Sequence, residues 1–157
     1  MTEGKPVRPI RRDELRKFKN IVVVFGSRKY RDRQTFSACV EGFIRDNHLT
    51  PENTVFVSGL AEGPDKFIID WAKEHGWRWH ECPADWENIE VPGALVRTNP
   101  GSGRQYNARA GFTRNQEMAN VSTHGLGFWN FASTGTKDMV DRCKQKQINL
   151  RIIRIQE

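Results

Sequence analysis

The chain has 157 residues, a net charge of +6 and a hydrophobic fraction of 37%, which together predict one globular domain with its own core. Apolar runs are at most about five residues long, as at residues 21–25, so neither a membrane-spanning helix nor a signal peptide is predicted. The three cysteines, Cys39, Cys82 and Cys143, form no CxxC pair, and the four histidines show no ligand spacing. We therefore expect no metal site, no disulfide framework and a cytoplasmic location.

The positive charge is concentrated at the N-terminus. Residues 1–19 contain seven basic and three acidic side chains and carry +4, whereas residues 20–157 carry only +2. We interpret residues 1–19 as a basic N-terminal extension and residues 20–157 as a single domain. Such an extension is typical of a solvated terminus or of an arm that contacts phosphates or an acidic partner.

The first half of the chain predicts alternating strands and helices. An apolar, β-branched run at residues 21–25 predicts a buried parallel strand. Apolar positions at helical spacing within residues 36–44 predict the first helix, and residues 54–58 predict the second strand. Pro64 and Gly76 then mark the start and the end of a second helix.

The second half continues the alternation after an interruption. Residues 77–81 predict a third strand, residues 113–119 a short helix starting at a Thr113 cap, and residues 126–129 a fourth strand. A helix from Ser133 and a strand at residues 150–155 complete the pattern. Regular alternation of this kind predicts an α/β fold, with a mainly parallel sheet of about five strands and helices on both faces.

A long loop at about residues 87–111 interrupts the pattern. Residues 92–114 contain four arginines and no lysine, with prolines and glycines between them. Loops of this length in compact domains are usually functional or disordered. Arginine suits the forked recognition of phosphate oxygens.

Three polar, glycine-bearing turns follow predicted strands, and two of them lead into helices. Ligands of open parallel sheets bind beyond the carboxyl ends of the strands, and the N–H groups of a helix N-terminus favour phosphate. Each turn alone also has the composition of an ordinary connection between secondary-structure elements, which requires no ligand. Neither GxGxxG nor GxxxxGK[ST] is present, so neither a dinucleotide dehydrogenase nor a P-loop NTPase is supported. The candidate ligand-binding residues in these turns are Gly26, Ser27, Arg28, Ser58, Gly59, Gly63, Ser133, Thr134, Gly135 and Thr136.

Six motifs occur here in the order that they have in one protein family: GSR at 26–28, SGLAEGPD at 58–65, WA at 71–72, PADW at 83–86, AGFTRNQEM at 110–118 and STGTKDM at 133–139. Over about residues 21–155 the chain resembles the YspA-type (cpYpsA-related) branch of the SLOG superfamily, related to the LOG and SMF/DprA proteins. The resemblance implies a Rossmann-like three-layer sandwich, a homo-oligomer, a bacterial or phage source and a nucleotide-derived ligand. Leu60, Pro64 and a longer insertion before the Arg-Asn motif depart from the family pattern.

Four further positions are candidates for ligand contacts. The resemblance implies that Arg114, followed by Asn115, makes a charge-assisted bond to a phosphate or ribose. Trp86 is a candidate to stack on a base. Asp85, beside it, is a candidate to bind ribose. The structural alternatives are an arginine paired with a carboxylate, a core-edge aromatic and a loop carboxylate.

The candidate catalytic residues are Asp65, Asp85 and Asp138. LOG enzymes cleave the N-glycosidic bond of a nucleoside monophosphate with an arginine and a glutamate in PGGxGTxxE. Arg114 matches that arginine, but Met139 stands at the position of the glutamate, and Asp138 lies one residue earlier. Asp65 and Asp138 lie near predicted helix starts, where a carboxylate is also favoured by the helix dipole alone.

Three functions follow from these features. The first is binding of an NAD-like, ADP-ribose-like or nucleoside monophosphate ligand, as a sensor or sequestering protein. The second is hydrolysis of the N-glycosidic bond of a nucleoside monophosphate. The third is binding of single-stranded nucleic acid through the basic extension and the arginine-bearing loop. The sequence leaves open whether the protein is an enzyme and indicates no cofactor and no membrane partner.

Overall fold

The computed structural model describes residues 8–156, so residues 1–7 of the basic extension and residue 157 lie outside the described residues. Five strands form one sheet in the order β3-β2-β1-β6-β7, and all neighbouring strands are parallel. Their bounds are Asn20–Gly26 (β1), Thr54–Ser58 (β2), Arg78–Glu81 (β3), His124–Trp129 (β6) and Asn149–Arg154 (β7). The predicted α/β fold with a parallel sheet of about five strands is confirmed.

Four helices cover the two faces of this sheet. They are α1 (Arg33–Asp46), α2 (Pro64–His75), α3 (Ala110–Val121) and α4 (Thr134–Gln145). Side chains of β1 alternate between the faces: Val22 and Val24 pack in the cluster that contains residues of α1 and α2, whereas Val23 packs with residues of α3 and α4. Burial on both faces explains why β1 is an unbroken apolar run. Within residues 8–156 no helix combines the length and apolarity needed to cross a membrane.

The predicted caps explain where two of the helices begin and end. Pro64 is in the first turn of α2, and Gly76 ends that helix in the left-handed conformation at φ 76°. At α4, Ser133 is the N-cap and its side chain accepts a hydrogen bond from the N–H of Thr136. Both patterns satisfy backbone groups that a helix end leaves without intrahelical partners.

Helix α3 begins at Ala110, three residues before the predicted Thr113 cap. The N-cap position is Arg109, whose side chain makes no cap hydrogen bond. Instead, the buried Asn107 accepts a hydrogen bond from the N–H of Arg109 through Oδ1 at 3.0 Å. The chain therefore enters this helix from a position held by Asn107.

Residues 8–19 pack against the domain. They include a short 3-10 helix at Arg12–Lys17. Ile10 and Leu15 are only 4% and 3% exposed and join the core cluster on the α3–α4 side. The N–H of Ile10 donates to the carbonyl of Trp79 in β3 at 2.6 Å. This part of the extension is thus anchored, with its cations on the outside.

The long loop contains a two-stranded antiparallel hairpin. Its strands are β4 (Val96–Thr98) and β5 (Gln105–Asn107). The hairpin is separate from the main sheet and leads directly into α3.

Candidate functional site

A cleft of about 210 Å³ opens beyond the carboxyl ends of β1 and β6. This is the edge at which parallel α/β sheets bind ligands. Five chain segments that are far apart in sequence meet there: the turn after β1, the start of α2, the segment after β3 that contains Trp86, the start of α3 and the start of α4. The predicted site residues that line the cleft are Gly26, Arg28, Asp65, Trp86, Arg114, Asn115, Ser133, Thr134, Gly135 and Thr136.

Four other predicted residues lie behind the cleft lining, where they shape the turns. The Ser58 hydroxyl donates to the carbonyl of Asp65 at 2.5 Å and accepts from the N–H of Leu60 at 3.1 Å. The Ser27 hydroxyl accepts from the N–H of Asn130 at 3.4 Å. Both hydroxyls are thus used within the protein. Gly59 and Gly63 complete this set.

Glycine is required where the turns approach one another. A Cβ at Gly26 would lie 2.5 Å from the carbonyl oxygen of Phe128 and 2.7 Å from Cγ of Pro64. Gly63 has a φ of 84°, and a Cβ there would lie 2.7 Å from the carbonyl oxygen of Ser27. Larger residues would push the first two turns apart, so these glycines serve the closure of the cleft floor.

Asp65 lies in the first turn of α2 and is 5% exposed. Burial raises the pKa of its carboxyl from 3.8 to about 7, against the opposing effects of the Arg114 charge and of hydrogen bonds from backbone N–H groups at Ala61, Gly59 and Gly26. The carboxyl is therefore shared between its protonated and ionised forms near neutral pH. The protonated form can donate a hydrogen bond, whereas the ionised form can only accept one.

Arg114, on α3, extends to the turn after β2. Its Nη1 donates to the carbonyl oxygen of Gly59, and its Nε donates to Oδ1 of Asn115 at 3.1 Å. Across residues 8–156 the Arg114 guanidinium forms no ion pair with a carboxylate, and Nη2 makes no hydrogen bond. The Arg114 charge nevertheless favours the ionised form of Asp65, so the two groups interact electrostatically without forming an ion pair.

A network of side chains joins α3 to α4 behind Arg114. The buried Asn115 donates from Nδ2 to Oδ2 of Asp138 at 3.0 Å, and the same oxygen accepts from Nε of Arg142 at 2.8 Å. Asn115 is therefore held with its Oδ1 toward Arg114. Asp138 positions Asn115 and does not itself line the cleft.

The three predicted catalytic carboxylates are not brought together. Asp65 lines the cleft, whereas Asp138 lies in the network behind it and Asp85 is exposed on the segment after β3. Trp86, the neighbour of Asp85, does line the cleft and is 39% exposed. Among the described residues that line the cleft, Asp65 is therefore the one carboxylate, and Trp86 is an accessible aromatic residue.

The start of α4 forms one side of the cleft. Oδ1 of Asn130 accepts from the N–H groups of Ala132 and Ser133 at 2.9 and 2.8 Å, which fixes the turn before the helix. Thr134 and Gly135 follow in the first turn, where backbone N–H groups lack intrahelical acceptors. A Cβ at Gly135 would meet nothing within 4 Å, so the space beside this turn is open. These features suit an anion.

Several lining residues were not predicted as site residues, and most of them are apolar. Gly111 lies against Trp86: a Cβ at this glycine would lie 3.0 Å from the edge of the indole ring. Phe112 beside it is 43% exposed. Both residues belong to the AGFTRNQEM motif, which is the sequence feature that could have indicated them. Neither has a polar group that suggests a ligand contact. The full set is Phe25, Ala61, Ala108, Gly111, Phe112 and Met139.

No metal centre is evident in the part of the chain that the structure describes. Among residues 8–156, His, Cys, Asp and Glu side chains form no group of three or more that could hold an ion.

Comparisons with known proteins agree with the resemblance predicted from the sequence. Residues 20–88 match the family YAcAr, described as the YspA, cpYpsA-related SLOG family. The structure is similar to DNA processing protein A (DprA) from Streptococcus pneumoniae, with a TM-score of 0.65 and 19% identity over 91% of this chain and 53% of that protein. It is also similar to DprA from Helicobacter pylori, solved for its single-stranded DNA binding mode, with a TM-score of 0.60 and 13% identity over 91% of this chain and 69% of that protein.

The predicted resemblance to this family is confirmed over residues 20–88, and the DprA structures show the shared fold. This chain spans about half the length of the Streptococcus pneumoniae protein. No curated protein sequence matches it significantly.

Proposed function

We propose that this protein, whose residues 20–88 match the YspA, cpYpsA-related SLOG family, binds a nucleotide or nucleotide-derived ligand in the cleft beyond β1 and β6. The observation that carries the proposal is Arg114. Its guanidinium is fixed by two internal hydrogen bonds, lines the cleft and forms no ion pair with a carboxylate of residues 8–156. An arginine held in this way is suited to a phosphate, which accepts forked, charge-assisted hydrogen bonds.

The remaining parts of a nucleotide find matching groups around Arg114. The open first turn of α4, at Thr134 and Gly135, offers backbone N–H groups to phosphate oxygens. The carboxyl of Asp65 provides a hydrogen-bond partner for ribose hydroxyls. Trp86 presents an accessible aromatic face for a base, an interaction worth about 1–3 kcal/mol at nucleic-acid sites. The general ability to bind nucleotides or nucleic acid also agrees with the family and with the DprA fold.

Isothermal titration with nucleoside monophosphates, NAD and ADP-ribose tests this proposal. We expect at least one of them to bind, and Arg114→Ala to weaken that binding by about tenfold or more, a loss of about 1.4 kcal/mol. Arg78→Ala is the matched control, because Arg78 is exposed on β3 and does not line the cleft. The absence of binding to every compound in the panel would overturn the proposal.

A small-molecule inventory complements the titration. The protein is purified under native conditions and denatured, and the released compounds are identified by mass spectrometry. A nucleotide-derived compound that is present with the unaltered protein and absent with Arg114→Ala would identify the natural ligand and support a role as a sensor or sequestering protein.

One observation favours hydrolysis of an N-glycosidic bond as a second candidate function. Asp65 has a pKa of about 7, which is suitable for general acid–base catalysis near neutral pH. In this reaction water adds to the anomeric carbon of the ribose and loses a proton, while the bond to the base breaks and the departing base takes up a proton. Asp65 would accept the proton of the water, and Arg114 would hold the phosphate.

Chromatographic detection of released base from nucleoside monophosphates tests this second candidate. We expect Asp65→Asn to abolish release and Asp138→Asn to retain part of it, since Asp138 lies behind the cleft. Absence of base release by the unaltered protein, despite binding of the monophosphate, would leave binding as the function.

A further inference from the structure

A second concave surface adjoins the cleft and is formed largely by the β4–β5 hairpin. It is an open groove of about 950 Å³. Arg28, Trp86 and Ala108 line both the cleft and this groove, so the two spaces adjoin. The other groove residues are Glu87, Asn99, Ser102, Arg104, Gln105 and Tyr106. Apart from Trp86, the groove residues have no role in the binding of a single nucleoside monophosphate described above.

We propose that the groove is a second subsite, and that the protein prefers a ligand with a second phosphate and sugar, as in a pyrophosphate-linked nucleotide, over a nucleoside monophosphate. The inference rests on the proposed function, because the first half of the ligand must occupy the cleft. The cleft of about 210 Å³ is smaller than the 300–1,000 Å³ typical of small-molecule sites. The adjoining groove supplies the additional volume.

The charges along this path suit the second phosphate. Arg28 lies where the cleft meets the groove, and Arg104 lies farther along the hairpin. Both side chains are exposed, and neither forms an ion pair with any carboxylate of residues 8–156. Among the described residues that line the groove, Glu87 is the only acid. Two such guanidinium groups along one open path are suited to phosphate oxygens on successive groups of one ligand.

The aromatic residues suit the ring systems of the ligand. Trp86 and Tyr106 lie 6.5 Å apart between ring centroids, with an angle of 68° between their planes. This edge-to-face contact supports the indole ring while one of its faces stays accessible. Trp86 lines both spaces, so a base can stack there while the phosphates extend from Arg114 past Arg28 toward Arg104.

The hairpin is tied to the rest of the domain, so the groove is formed before a ligand arrives. The N–H of Asn107 donates to the carbonyl of Trp86 at 2.7 Å. Oδ1 of Asn107 accepts from the N–H of Leu95 at 3.2 Å and from that of Arg109 at 3.0 Å. Nη1 of Arg109 donates to the carbonyl of Gly93 at 3.1 Å. A preformed subsite adds affinity at a lower entropic cost than one that orders upon binding.

Titration of the full chain with AMP and with ADP-ribose tests the second subsite. We expect ADP-ribose to bind about tenfold or more tightly than AMP, a difference of about 1.4 kcal/mol. Arg104→Ala should remove most of this difference while leaving the affinity for AMP within about twofold. Arg97→Ala is the matched control, because Arg97 is exposed in the same hairpin but does not line the groove. It should leave both affinities unchanged.

The outcomes separate this inference from the proposed function. Equal affinities for AMP and ADP-ribose, or an equal loss of both in Arg104→Ala, would overturn the second subsite and leave the nucleotide cleft in place. Failure of both compounds to bind would overturn both proposals. Equal affinities for AMP and ADP-ribose, together with binding of a short oligothymidylate that Arg104→Ala weakens, would assign the groove to single-stranded DNA instead.

Discussion

Asp65 and Arg114, which come from helices on opposite faces of the sheet, both lie against Gly59. A Cβ at this glycine would lie 2.9 Å from Oδ2 of Asp65 and 2.6 Å from Nη1 of Arg114. The same glycine provides the carbonyl oxygen that accepts from Nη1. The absence of a side chain at Gly59 therefore leaves the space that both groups, which are proposed to contact ribose and phosphate, need in order to lie close to this residue.

The first prediction is that Gly59→Ala impairs binding by displacing the Arg114 guanidinium. The added methyl group would overlap both neighbours, and overpacking of this kind typically costs about 1–3 kcal/mol of stability. We expect the affinity for the nucleotide to fall about tenfold or more, measured by isothermal titration. Urea unfolding of the same variant measures the stability change.

Gly42→Ala is the control for this substitution. A Cβ at Gly42 in α1 would meet only Nη2 of Arg45, at 3.6 Å, an ordinary contact. Alanine in a helix interior is favoured over glycine by roughly 0.5–1 kcal/mol, so this variant should be at least as stable and bind normally. Normal nucleotide affinity in Gly59→Ala would show that binding does not depend on the placement of Arg114.

The second prediction concerns the pH dependence of stability. Asp65 has a pKa of about 7 in the folded protein, against an ordinary value of 3.8. Between these values the folded state keeps the proton and the unfolded state loses it, so the free energy of unfolding from this group falls as pH rises. Over this range the free energy of unfolding should fall by on the order of 1 kcal/mol per pH unit, and this dependence on pH disappears above about pH 7.

Urea unfolding of Asp65→Asn between pH 4.5 and 8 measures this contribution. Asparagine does not ionise, so the decline in stability over this range should be smaller than in the unaltered protein. Asp70→Asn, an exposed position on the same helix, should keep the original decline. Parallel pH profiles for the Asp65→Asn variant and the unaltered protein would contradict the proposed titration of Asp65.

The third prediction is that Trp86 contributes through its aromatic face. Trp86→Ala should lower nucleotide affinity by about 1–3 kcal/mol, the usual worth of a stacked base, and Trp86→Phe should restore most of it. Phe131→Ala provides the control, because Phe131 is 48% exposed but does not line the cleft. Equal affinities in the two Trp86 variants would argue against stacking.

The fourth prediction separates the structural role of the N-terminal segment from its charge. Leu15 is 3% exposed, so Leu15→Ala should lower the free energy of unfolding by about 2–5 kcal/mol, measured by urea unfolding. The exposed cations Arg16 and Lys17 should be replaceable by alanine with little change in stability. Deleting residues 1–19 would consequently remove core side chains as well as charge.

Salt-dependent binding of single-stranded DNA is therefore best tested with the double variant Arg16→Ala, Lys17→Ala. If these two cations bind phosphates, the slope of log affinity against log salt should become shallower by about one unit for each cation replaced. An unchanged slope would show that neither cation binds the DNA backbone.

The main sheet could be predicted from the sequence because its signals are local. The run at residues 21–25 is apolar at every position, as a central parallel strand requires, and Pro64 and Gly76 mark the bounds of α2. The hairpin carried no such signal, because β4 and β5 have three residues each and are mostly exposed. The packing of residues 8–19 depends on three apolar side chains, Ile10, Leu15 and Phe18, among many charged ones, too few to establish a period.

The candidate site was predictable as a set of turns but not as a set of contacts. The sequence suggested Arg114 and Gly59 separately, yet the hydrogen bond between them spans 55 positions. The sequence also offered no reason to separate Asp65 from Asp138, since both lie near helix starts. Only the tertiary arrangement places one in the cleft and the other behind Asn115.

Asn107 connects three parts of the molecule with a single buried residue: the base of the hairpin, the start of α3 and the backbone of Trp86. The tip of the hairpin, residues 99–104, lies beyond these bonds and is exposed. Insertions or replacements at the tip would therefore change the groove without moving Arg114 or the cleft. The tip is therefore the place at which the proposed second subsite can be redesigned independently of the nucleotide cleft.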